Sequence, residues 1–181
     1  MRIYTRKGDD GTTGLLFGGR VAKDSAVIRA NGAVDEAQAA LGVTRAAVEP
    51  GSELDVLLVA LERDLYVLMA ELAAAPGNRS KLQPGISLVT EDMVTALEVQ
   101  IDALTERFPP LTDFVVPGHD RVSAALDVAR TVIRRAEREA LGAAVEGSLV
   151  VGYLNRLSDL VWTMARWQEQ GESLLSRRAA R

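Results

Sequence analysis

Two segments of the chain carry residues whose types and spacing suit anion chemistry. The first is Thr5-Arg6-Lys7-Gly8-Asp9-Asp10-Gly11-Thr12-Thr13. Gly8 and Gly11 let the backbone come close to a ligand and tolerate positive φ, so several N–H groups can point at one anion. Thr5, Thr12 and Thr13 add hydroxyl donors. Arg6 and Lys7 add charge, and arginine can bond an anion through two nitrogens at once. Such a set suits a polyphosphate. A Gly/Asp/Thr cluster also makes a plain turn, so the segment alone decides nothing. It is not a Walker loop, because no Gly-Lys-Ser/Thr ends it.

The second segment is Arg130-Thr-Val-Ile-Arg134-Arg135-Ala-Glu137-Arg138, inside a helical stretch. A 100° step per residue gathers Arg130, Arg134 and Glu137 within about 60° at the border of an apolar face. Two arginines one turn apart can converge on one anion, and Glu137 can orient a guanidinium. The competing reading is a solvated basic flank. Asp35 sits on the border of an earlier helix, where it is either solvated or a partner for that basic face. Asn155, Asp159, Trp162 and Arg166 form a further polar stripe, which also fits a surface ladder. Phe114 lies in a loop before Pro117-Gly118, where a buried plug is the default expectation. His119 reads as structural or solvated.

Composition narrows the chemistry. With no cysteine there is no disulfide, thiolate metal site or cysteine nucleophile, and one histidine excludes multi-histidine metal centres. A divalent ion would have to be held by oxygen or arrive on a substrate, as Mg²⁺ does with a nucleotide. A net charge of −4 argues against broad nucleic-acid binding. No apolar run approaches a membrane span, and no signal-peptide pattern follows Met1, so the expected location is cytoplasmic.

The elements that must position these residues are helices. The chain is rich in alanine and leucine and poor in aromatics. Residues 1–25 read as a glycine-rich loop. Helices are expected over about 27–48, from Ser52 or Asp55 to about 75, from Thr90 to before Pro109, over 119–142 and over 147–170. The second is apolar on most sides and is expected in the middle of a bundle. The segment 76–89 reads as a connector. The expected fold is therefore all-α, an antiparallel five-helix bundle with a long N-terminal phosphate-binding loop. It is one domain over 1–181, with loop 1–25, bundle 26–170 and a frayed tail 171–181.

Six segments together resemble the PduO-type ATP:cob(I)alamin adenosyltransferases. They are the loop 5–13, Phe17-Gly-Gly-Arg-Val-Ala-Lys-Asp24, Gly32-Ala-Val-Asp-Glu36, Phe114-Val-Val-Pro-Gly118, the arginine segment from Ala129 to Arg138, and Tyr153-Leu-Asn-Arg-Leu-Ser-Asp159. The resemblance implies transfer of the 5′-deoxyadenosyl group of ATP to cob(I)alamin, with Mg²⁺ accompanying ATP. It implies a homotrimer with active sites where subunits meet, an external cob(II)alamin reductase, and an adenosylcobalamin-dependent enzyme as recipient. Neither nucleic acid nor membrane is implied as a partner.

The same resemblance assigns roles. Thr5, Arg6, Gly8, Asp9, Gly11, Thr12, Thr13 and Lys23 would surround the triphosphate, with Glu137 and Asn155 near the nucleotide. Arg130 and Arg134 would act on the leaving group, and Asp35 would pair with Arg130 across the interface. Phe114 would lie under the corrin ring. No residue is assigned to a protein-held metal. His119 stands where relatives often have a second glycine, and Gly14 where many carry a larger residue. Two other classes remain open on the residues alone: a carrier or sensor of the same ligands, and a purely structural bundle.

Overall fold

The computed structural model describes Tyr4 and residues 6–177. The chain is mostly helical. Five α-helices follow a small hairpin: α1 Ala26–Arg45, α2 Glu53–Leu72, α3 Glu91–Thr105, α4 Arg121–Ala140 and α5 Val150–Gln168. A 3-10 helix, Pro76–Lys81, interrupts the segment expected to be a plain connector. In the region read as loop, β1 Thr12–Gly14 pairs antiparallel with β2 Arg20–Ala22, Thr13 opposite Val21. The turn between them is closed by Phe17, Gly18 and Gly19, all at positive φ. Two glycines make that geometry cheap, and short β-branched stretches on either side pair across it.

The helices form a row in which α4 lies between α1 and α5, α2 packs outside α1, and α3 packs outside α5. Cross-links give the directions. Asn31 reaches the carbonyl of Met69, Gln38 that of Glu62, and Arg45 the carboxylate of Asp55, so α1 and α2 run antiparallel. Glu137 meets Asn155 and Asp127 meets Arg166, so α4 and α5 do too. The outermost pair breaks the expected pattern. Glu98 bonds Arg156 and Arg107 lies over Trp167, so α3 runs parallel to α5. The 15 residues between Thr105 and Arg121 carry the chain past the end of α5 to reach α4 on its other side.

The second correction concerns which helix is central. Despite its leucines, α2 sits at an edge, with Val56 and Tyr66 exposed. The centre belongs to α4, whose inward face carries Ala129, Val132, Ile133, Ala136 and Ala140. Small alanines there, and at Ala30, Ala33 and Ala37 of α1, let neighbouring backbones approach closely. Width of the apolar face did not decide the position; side-chain size did.

The entry of α4 is fixed by a capping box. Asp120 accepts from the N–H of Val122 and of Ser123, and the Ser123 hydroxyl accepts from the N–H of Asp120. Thr90 caps α3 and Ser52 caps α2, as their sequence contexts suggest. Elsewhere buried Glu71 accepts from Arg79, the Val89 N–H and the Ser148 hydroxyl, tying the 3-10 helix to the entries of α3 and α5. Tyr153 donates to Asp64, whose carboxyl is nonetheless pushed up by burial.

Candidate active site

The N-terminal loop folds into a cationic cleft. A cavity of about 300 Å³ is lined by Lys7, Gly8, Thr12, Thr13, Gly14, Arg20 and Lys23. The lining is held together by Arg20. Its guanidinium donates to the Thr12 hydroxyl, at 3.0 Å from Nε, and to the carbonyls of Lys7 and Thr12. Asp10 accepts from both the N–H and the hydroxyl of Thr12, and these bonds hold its carboxyl below the usual range. The loop is thus cross-braced by its own side chains.

Gly8 and Gly11 serve different ends. Gly11 lies at φ +80°, the left-handed region expected for it. Gly8 is needed for space instead. A Cβ there would stand 3.0 Å from Lys23 Nζ and 3.1 Å from the Thr12 carbonyl oxygen. Lys23 therefore crosses over Gly8 into the cleft. It makes no ion pair among the described residues. Asp10 stands 3.6 Å from Arg20, and the cleft still carries more positive than negative charge, which favours an anion.

The helical residues form a second group. Arg130 and Arg134 stand on α4, Arg130 half-buried and Arg134 exposed. Glu137 accepts from the Asn155 amide at 3.1 Å, so α4 and α5 are joined at the expected residues. Asn155 in turn accepts from Arg156. Asp35 is exposed on α1 and has no hydrogen bond or ion pair among the described residues. Its neighbours pair instead: Glu36 with Arg135, and Arg29 with Glu139. Among the described residues no hydrogen bond or ion pair joins Arg130 or Arg134 to the loop, so the candidate residues fall into two groups.

Phe114 is not a plug. Its residue is 82% exposed, on the loop that leads into α4. That loop is strapped from behind by the C-terminal segment. The Ser176 N–H donates to the Phe114 carbonyl, and the Val116 N–H to the Leu174 carbonyl. Asp113 also receives the Ser176 hydroxyl and pairs with Arg177 at 3.2 Å. So the first part of the segment expected to fray is paired to the Phe114 loop.

Residues 3–168 match the family model described as cobalamin adenosyltransferase. The chain belongs to that family. A corrinoid adenosyltransferase of Mycobacterium tuberculosis (strain H37Rv) is 42% identical over 170 residues, 91% of this chain and 87% of that one. One from Citrobacter freundii is 42% identical over 173 residues, 93% of this chain and 95% of its own length. The fold matches a solved PduO-type ATP:corrinoid adenosyltransferase of Lactobacillus reuteri, a variant complexed with cobalamin and ATP. That match has a TM-score of 0.85 at 28% identity and covers 98% of this chain and all of the other.

Of the residues expected to contact ligand, Gly8, Thr12, Thr13 and Lys23 line the cleft, Glu137 and Asn155 meet between α4 and α5, and Thr5 lies outside the described residues. Arg6 is at φ +60° beside Tyr4, 5.7 Å from its ring centroid. Asp9 is exposed at the turn, its N–H on the Arg6 carbonyl. His119 is exposed just before the α4 cap. Two features were missed. Arg20 stands in the sequence only as part of a glycine-rich segment, although an arginine directly after the Phe17-Gly18-Gly19 turn is placed to fold back onto the loop. The other is the buried set Asp127–Arg166–Glu169 between α4 and α5. A 39-residue separation leaves no local signal for such a pair.

Proposed function

We propose that the chain adenosylates cobalamin: it transfers the 5′-deoxyadenosyl group of ATP to cob(I)alamin, giving adenosylcobalamin and triphosphate. The observation that carries this reading is the cleft of Lys7, Arg20 and Lys23 over Gly8, in a chain that matches the family from residue 3 to 168. The relative complexed with cobalamin and ATP supplies the substrate classes. Solved relatives also include variants with a phenylalanine changed to histidine and an arginine changed to lysine, which supports roles for those residue types.

Cobalt(I) attacks the 5′-carbon, a cobalt–carbon bond forms, and the carbon–oxygen bond breaks with its electron pair leaving on triphosphate. The corrinoid carries the hard chemistry, so the protein need supply no nucleophile. The work left to it is alignment and charge. Loop N–H groups, Thr5, Thr12, Thr13, Lys23 and Arg6 hold the triphosphate, with Asp9 and Gly11 shaping the turn. Arg130 and Arg134 neutralise charge growing on the leaving group. Glu137 and Asn155 orient the nucleotide side of the site. Mg²⁺ enters with ATP, on phosphate oxygens.

The site is completed by a second copy. Among the described residues Asp35 has no hydrogen bond or ion pair, and none joins the loop group to the helical group. A homotrimer that brings Asp35 of one chain to Arg130 of the next gives Asp35 a partner and Arg130 a second one besides Asp127. Phe114, exposed and strapped, then lies against the corrin ring and excludes a lower axial ligand. Cobalt left four-coordinate is easier to reduce, so an external reductase can deliver the electron. The enzyme works in the cytoplasm and hands its product to an adenosylcobalamin-dependent enzyme.

The direct test uses MgATP and chemically reduced cobalamin. Adenosylcobalamin and triphosphate should appear in equal amounts. ADP, or pyrophosphate plus phosphate, as the primary product would contradict transfer to the 5′-carbon. A carrier or sensor would bind both ligands without turnover.

A further inference from the structure

The proposed chemistry leaves one group of buried charges without a task. Asp127, Arg166 and Glu169 meet between α4 and α5, each 5% exposed or less. One terminal nitrogen of Arg166 donates to Asp127 Oδ2 at 2.6 Å and stands 3.0 Å from Glu169 Oε1. Two carboxylates and one guanidinium leave this set one negative charge in excess. An unbalanced buried charge is costly, so a further cation must stand nearby. Arg130 is that cation. Its Nε lies 3.8 Å from Asp127 Oδ1, three residues back on the same helix. That Nε is buried and has no hydrogen-bond partner, while the side chain as a whole is 31% exposed. The inner edge of the guanidinium is enclosed, and its outer end reaches solvent.

We propose that Asp127 is a positioning residue for Arg130, fixing it by the Nε edge so that the terminal nitrogens face the triphosphate. The inference rests on the role given to Arg130 above. The device works because Asp127 is itself immobile. Arg166 clamps one carboxylate oxygen, so the other cannot swing away. A guanidinium held along one edge has fewer orientations to lose when an anion binds its remaining donors. The rival reading is a buried ion pair that only ties α4 to α5.

A double-mutant cycle of Asp127→Asn and Arg130→Ala separates the two. Each protein is measured for kcat/KM, for MgATP affinity by calorimetry, and for Tm. Asp127→Asn leaves Arg166 opposite Glu169, a balanced pair, so the fold survives. In the Arg130 background it should lower kcat/KM by about tenfold, because Arg130 loses the ion pair that orients it. In the Arg130→Ala background the same change should matter less than about twofold, while its effect on Tm persists. A purely structural role would damage activity equally in both backgrounds. That result, or undiminished activity of Asp127→Asn, overturns the proposal. Should Asp127→Asn not fold, Asp127→Glu goes through the same cycle with the same two outcomes. It keeps a charge for Arg166 but displaces the second oxygen. Wild-type turnover tells the two failures apart. A wild type that makes no adenosylcobalamin sinks the functional reading, and the affinity cycle still judges Asp127. An active wild type with an additive cycle sinks only Asp127.

Discussion

Gly8 and Phe114 show how one residue's surroundings set its function. Gly8 keeps open the path of Lys23, which a Cβ would meet at 3.0 Å. Lysine is flexible, so Gly8→Ala should displace the ammonium group rather than unfold the chain. MgATP affinity should fall by about tenfold, the scale of one charged contact, with Tm nearly unchanged. Calorimetry and a melting curve on the same sample check this; a large drop in Tm with intact affinity would make Gly8 a folding residue. Phe114 has the opposite surroundings. At 82% exposure it packs against little within its own chain, so its removal should not incur the roughly 3–5 kcal/mol of a core phenylalanine. Phe114→Ala should therefore keep Tm and MgATP affinity. The spectrum of bound cob(II)alamin should move from four-coordinate toward five-coordinate, and turnover with a reductase should fall more than turnover with chemically supplied Co(I). An unchanged spectrum would end its coordination role.

Elements carry these residues into place, and here the sequence is legible where the cause is local. The caps at Ser52 and Thr90 lie within three residues of the N–H groups they satisfy, so the starts of α2 and α3 could be read directly. The arginine pair and Glu137 share a face because 100° per residue puts them there. What could not be read depends on distance or size. The parallel run of α3 beside α5 follows from a long connection, and the edge position of α2 from alanines on other helices. The pairing of residues 174–176 with the Phe114 loop joins segments about 60 residues apart, which no local pattern announces. The hairpin was hidden because three-residue strands carry too little periodicity. Asp120 caps α4 one residue inside the start expected at 119. Its capping box predicts a measurable effect. Asp120→Ala leaves the N–H groups of Val122 and Ser123 unpaired and should cost about 1 kcal/mol in chemical denaturation. The Phe114 loop feeds into this cap, so cobalamin affinity should weaken more than MgATP affinity. Equal weakening of both would mean that the cap serves the helix alone.

At the scale of the molecule, the proposed site is one that a folded single chain completes with a second copy. The chain's core is continuous across all five α-helices. Asp35 is exposed and unpaired among the described residues, and Val43 on α1 and Val128 on α4 expose apolar side chains on the same two helices as Asp35 and Arg130. If Asp35 serves Arg130 of another chain, each interface is assembled from two different subunits. Asp35→Asn and Arg130→Ala should then each be severely impaired alone. Mixed, dissociated and reassembled, they should rescue one another. An interface that draws Asp35 from the Arg130→Ala chain and Arg130 from the Asp35→Asn chain is wild type in both positions. Random assembly of an equal mixture makes about a quarter of the interfaces of this kind, so about a quarter of wild-type activity should return. Had both residues served a site within one chain, every site in the mixture would still carry one defect, and no activity would return. Reassembly is checked separately by exchange of labelled subunits, so that a failure to mix cannot pass for a failure to complement. Activity that stays at the level of the separate variants after full exchange would place Asp35 outside the Arg130 site.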